Sequence, residues 1–139
     1  MRRSTTILCA GLIAVSMLPI SSHAQPIDIT GDWQCEYSVK STDQAPRTTA
    51  AWFQVSFRSD AKFAGGGKTI AGGSALSMQL NGKYSVAGDG LLKMTGVSEI
   101  ARQRVPFRFV SNVLNESVME RRAKEGSIAY HTQCTREPS

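Results

Sequence analysis

Residues 29–40 read ITGDWQCEYSVK, and their alternation decides the fold class. Ile29, Gly31, Trp33, Cys35, Tyr37 and Val39 fall on one face. Thr30, Asp32, Gln34, Glu36, Ser38 and Lys40 fall on the other. Period two marks a half-buried strand, because successive side chains of an extended chain point to opposite sides. Near the other end, Ile128, Tyr130, Thr132 and Cys134 alternate with Ala129, His131, Gln133 and Thr135 in the same way. Each of these two strands carries a cysteine on its apolar face.

The same pattern fills the chain between them. Ala51, Phe53, Val55 and Phe57 alternate with Trp52, Gln54, Ser56 and Arg58 after a polar loop at 41–48 that contains Pro46. A short strand is expected around Phe63. Asn81-Gly82 lies between Leu76, Met78, Leu80 and Tyr84, Val86, which predicts a type I′ hairpin turn. Gly88-Asp89-Gly90 is a further turn. Leu92, Met94 and Ile100 share one face of the next strand, and Val105, Phe107 and Phe109 that of another. Pro106 in that strand points to an edge or a bulge, since proline cannot donate to a ladder. Val118 opens a penultimate strand, and Lys124-Glu125-Gly126 turns into the last. No segment has a helical period. Eight or nine short strands read as an all-β sandwich or barrel.

The N-terminus reads as a targeting segment. Arg2 and Arg3 precede an apolar stretch at 7–20 that is too short to span a bilayer, and Ser22-His23-Ala24 is a small-x-small cleavage site. The expected division is a signal peptide at 1–24 and one domain at 25–139, exported to the periplasm or secreted. Cleavage lowers the net charge from +5 to +3. Nucleic-acid binding proteins usually carry a stronger basic excess. No second apolar run is long enough for a membrane span, and a monomer is expected.

Export also decides how the cysteines read. Two remain after cleavage, and an even pair in an oxidising compartment reads as a disulfide, the alternative being two separate buried thiols. In an open meander of eight strands, first and last lie roughly 30 Å apart, at just under 5 Å per step. A disulfide needs Cα atoms within about 7 Å. A Cys35–Cys134 bond therefore requires the sheet to close. The expected architecture is an eight-stranded antiparallel up-and-down barrel, closed by a first-to-last-strand disulfide. In that count the glycine-rich stretch around Gly65-Gly66-Gly67 contributes no full strand.

Few residues suit catalysis. His131 is the one histidine of the mature chain and falls on an outward face. With both mature cysteines bonded, no Cys-His site can form, and one histidine is a poor basis for zinc. Asp32, Glu36, Glu99 and Glu120 fall at outward positions, where carboxylates are usually solvated. The triple glycine lacks the following helix that a phosphate-cradling loop requires. The reading is therefore of a protein that is not an enzyme and has no cofactor or metal. Arg102, Arg104 and Arg108 form a basic stripe, extended by Arg121, Arg122 and Lys124. The stripe reads either as a surface for an acidic partner or as a solvated face that discourages edge pairing. Trp52 points outward and reads either as an interface anchor or as a side chain covered by the 41–48 loop.

Thr30-Gly31-Asp32-Trp33 resembles the Gly-x-Trp signature that opens the first strand of lipocalins and the wider calycin group. The resemblance implies an eight-stranded up-and-down barrel. It also implies that Trp33 closes one barrel end and that a basic residue after the last strand, here Arg136, packs over it. The chain is shorter than a usual lipocalin and lacks the family's Thr-Asp-Tyr motif and C-terminal helix. Avidins share Gly-x-Trp, but their further tryptophans are missing. Small periplasmic lysozyme inhibitors are similar in size, export and barrel shape. The resemblance implies a non-catalytic binding protein of the bacterial periplasm that takes a small apolar ligand or a protein partner. Phe53, Phe57, Leu92, Met94, Phe107, Phe109 and Tyr130 would then line or fill the interior. The second expectation is an inhibitor or immunity factor that blocks a lysozyme-like cell-wall hydrolase, with the Gly72-Gly73-Ser74-Ala75 segment as a loop tip.

Overall fold

A computed structural model describes residues 27–41, 48–71 and 73–139. The expected signal peptide and most of the 41–48 loop lie outside the described residues. The described chain is all-β, with β1 (Gly31–Ser41), β2 (Thr48–Phe57), β3 (Lys62–Ala71), β4 (Ser74–Val86), β5 (Leu91–Ile100), β6 (Gln103–Asn112), β7 (Val118–Glu125) and β8 (Ile128–Arg136). They form one antiparallel sheet in the order β6-β5-β4-β3-β2-β1-β8-β7. First and last strands are neighbours, as the cysteines required. Cys35 and Cys134 face each other in the ladder, are bonded, and have Cα atoms 4.1 Å apart.

The sheet curls into a half-barrel whose two edges are β6 and β7. Among the described residues the backbone contact between them is just beyond β6, where Val113 bridges Met119 and the Leu114 N–H donates to the Val118 carbonyl at 3.0 Å. Pro106 lies on β6, an edge strand, where the missing N–H disturbs no ladder.

The alternation of β1 continues into burial. Ile29, Trp33 and Cys35 join Phe53, Val55, Phe57, Phe63, Leu80, Leu92, Met94, Phe109, Met119 and Cys134 in one core. The rings pack edge to face, Phe53 on Phe109 at 5.5 Å and on Phe107 at 5.9 Å, and Phe57 on Tyr84 at 4.9 Å. Such pairs favour these tilted arrangements because a positive ring edge meets a negative face. Ser98, Ser111 and Thr132 are the buried polar side chains among the described residues. Thr132 Oγ1 donates to the Val110 carbonyl at 3.1 Å and is hydrogen-bonded to Ser111 Oγ at 3.2 Å, tying β8 to β6.

Four local expectations are corrected. Asn81-Gly82 is no turn, because β4 runs through it and Gly82 pairs with both Phe63 and Gly96. A Cβ on Gly82 would lie 2.1 Å from the Thr95 carbonyl oxygen and 2.9 Å from the Phe63 ring. Glycine serves here to let two strands and a ring approach closely. Gly65-Gly66-Gly67 lies in the middle of β3, a full ten-residue strand. Cβ atoms on Gly65 and Gly67 would fall within 2.0 Å of β2 carbonyl oxygens, so the stretch lies tight against β2. Arg102 is not in a strand. Ile100 pairs with Gln103, and Ala101 and Arg102 form the turn between them with φ of 49° and 65°. Val105 keeps the inward phase but is 42% exposed, because it lies near the open end of an edge strand.

Candidate functional site

Three places in the half-barrel concentrate side-chain chemistry: the end capped by Trp33, the outer face around Trp52, and the opening between β6 and β7.

At the capped end, Trp33 is fully buried and its Nε1 donates to the Ile29 carbonyl at 2.8 Å. The Arg136 guanidinium lies 4.6 Å from the ring centre. Its three nitrogens donate to the carbonyls of Glu116 at 2.6 Å, Thr30 at 2.6 Å and Asp28 at 2.7 Å. Arg136 thus fastens the segment before β1 and the turn before β7 to the end of β8. Gly31 explains itself in this setting. It has φ of 117°, and a Cβ there would come within 3.1 Å of Arg136 Nη1. The Asp28 carboxylate accepts the Thr30 N–H at 2.9 Å, and that bond holds its pKa below the ordinary value, helped by nearby Arg136. The Trp33 nitrogen and each of the three Arg136 nitrogens already hold a backbone carbonyl, which gives this end a structural part.

Among the described residues the interior is occupied by packed apolar side chains. Phe53, Phe57, Leu92, Met94 and Phe109 are buried, and Phe107 packs against them half-buried. Tyr130 is half-buried and stands outside this cluster. Tyr37 is partly buried, and desolvation raises its phenol pKa above 10.

The outer face has the opposite character. Trp52 is 45% exposed. In the ladders it stands between Glu36 on β1 and Lys68 on β3. One residue row away, Thr135, Gln34, Gln54, Gly66 and Gln79 lie side by side across five strands. Gly66 and Gly67 bring no side chains, and a hollow of about 510 Å³ opens beside Trp52, bordered by Gln34, Glu36, Gln54 and Gln133. Its groups are an indole face, neutral amides, the Thr135 hydroxyl and one carboxylate. This suits adhesion and hydrogen bonding rather than proton transfer. The glutamines were legible only as outward positions. Their convergence on Trp52 depends on strand register.

Farther along the face, Glu120 Oε1 lies 3.1 Å from both His131 Nε2 and Arg122 Nε. The hydrogen bond from His131, then that from Arg122, lowers the Glu120 pKa. Ser38 stands opposite His131 in the β1–β8 ladder on the same face.

The basic stripe is split. Arg104 and Arg108 are exposed on the outer face of β6, with Arg102 in the preceding turn. Arg121, Arg122 and Lys124 belong to β7, the other edge of the sheet. The opening is therefore basic on both lips.

Comparison with known proteins finds no matching family model, no matching curated protein and no matching solved structure.

Proposed function

We propose that the mature chain is an exported, non-catalytic binding protein of the bacterial periplasm that engages a macromolecular partner with its outer face. The single observation that carries this is the contrast between the packed apolar interior and exposed Trp52 beside its hollow. Lipocalin-like uptake of a small apolar ligand needs interior space, and the phenylalanine rings occupy it. An exposed tryptophan beside a concavity is the kind of anchor that dominates protein interfaces, where truncating it commonly costs about 2 kcal/mol or more.

The narrower form of this reading is an inhibitor or immunity factor for a lysozyme-like cell-wall hydrolase. Its support is the Trp52 hollow, which is of a size to receive side chains of a partner. The test is a titration of purified lysozyme-class hydrolases with the mature protein. Loss of hydrolase activity at equimolar protein is expected. Trp52→Ala should raise the concentration needed by roughly thirtyfold, as such an anchor implies. Saturable uptake of a fatty-acid or apolar dye probe into the interior would overturn the surface reading. Full hydrolase activity at excess protein would remove the inhibitor form.

A further inference from the structure

We propose that the opening between β6 and β7 takes an extended segment of a partner protein, alternating acidic and apolar residues, as an added strand along β6. This goes beyond the Trp52 reading and uses a different part of the sheet.

The backbone comes first. Along a strand, the polar groups of alternate residues point to alternate edges. The Val110 carbonyl points away from β5 and receives Thr132, and the Leu114 N–H reaches β7. By that alternation Arg104 and Arg108 turn both N–H and carbonyl to the opening, while Pro106, which has no N–H, turns only its carbonyl, so the added strand would pair through the two arginines with one donor missing between them. On the other lip the Val118 carbonyl accepts from Leu114 while the Ser117 carbonyl accepts from Arg136, so Arg122 and Lys124 also face the opening. Beyond the single Val113–Met119 bridge no ladder joins these edges. Unpaired edge groups are a template for another strand, the basis of recognition by strand addition.

The side chains select the strand. Arg104 and Arg108 stand on the outer face of β6, while Val105 and half-buried Phe107 stand on its inner face. An added strand places its own side chains beside these with period two. Acidic residues then meet the arginines, and apolar ones extend the core beside Val105 and Phe107. Arg104, Arg108, Arg121 and Lys124 are in none of the close ion pairs among the described residues, although Glu99 stands opposite Arg104 in the β5–β6 ladder. Two basic lips repel each other, and the same charges repel the edges of a second copy. An acidic partner is therefore favoured over self-association.

The test uses the mature protein and a ten-residue peptide alternating Glu and Val, with a Lys-for-Glu peptide and a sulfated oligosaccharide as comparisons. The Glu peptide should bind at least tenfold more tightly than the Lys peptide. It should also slow amide exchange at Arg104 and Arg108. The paired change Arg104→Glu with Arg108→Glu should weaken binding at least tenfold, and Arg122→Glu with Lys124→Glu about threefold, each with an unchanged thermal melt. Trp52→Ala should leave peptide binding unchanged, so failure here is separable from failure of the hydrolase experiment. Equal binding of both peptides, or absent amide protection, would overturn strand addition. Tighter binding of the sulfated oligosaccharide without protection would make the opening a polyanion patch and overturn the proposal.

Discussion

Arg136 is the residue on which the most separate pieces of backbone converge. It holds the carbonyls of Asp28, Thr30 and Glu116 and covers Trp33. Hydrogen bonds to a charged donor contribute more than neutral ones, and losing the partner leaves carbonyls to find water. Arg136→Ala should cost about 3 kcal/mol, read as a lower urea midpoint together with a red shift of Trp33 emission as water reaches the indole. Arg136→Lys keeps the charge but lacks the planar fork, and should recover less than half of the loss. The Gly-x-Trp pattern was legible in the sequence for this reason: glycine, tryptophan and arginine form one contact set. The three carbonyls were not legible, because backbone acceptors leave no mark on residue type.

At the scale of elements, two segments exchange the roles their composition suggests. Asn81-Gly82 has the chemistry of a type I′ turn and lies inside β4. Ala101-Arg102 has none of the usual turn residues and forms the β5–β6 turn with both φ positive. Non-glycine residues in that region cost about 1–2 kcal/mol each. Replacing them with the pair that suits the turn, Ala101→Asn with Arg102→Gly, should raise stability by about 1–2 kcal/mol in thermal or urea unfolding. Conversely, Gly82→Ala should lower it by about 3 kcal/mol, as over-packing against immovable backbone does. The hairpin position went unread because register outweighed turn propensity. A turn at Asn81 would remove Gly82 from its place between Phe63 and Gly96, where there is no room for a side chain. The full strand at Gly65–Gly67 was hidden for the same reason, since glycine lowers strand propensity and yet permits the closest approach to β2.

Across the whole molecule, the Cys35–Cys134 bond joins positions 99 residues apart. Chain-entropy arguments give about 4–5 kcal/mol for a loop of that length, as an upper figure for a compact unfolded state. Reduction, or Cys35→Ser with Cys134→Ser, should lower stability by up to that amount. The check is the urea midpoint with and without reductant, beside mass spectrometry of the unreduced protein showing the two cysteines joined. The sequence by itself determined the all-β class and the pairing of first with last strand. Each follows from period-two alternation or from covalent reach, which are local or metrical constraints. Only the tertiary structure decided where the curled sheet stays open. The cysteines require β1 beside β8 but place no demand on β6 and β7, and the ladder ends at Pro106 and the arginines of that edge. Only the structure, likewise, placed the glutamines around Trp52, because a face shared by four strands exists only once their registers are set.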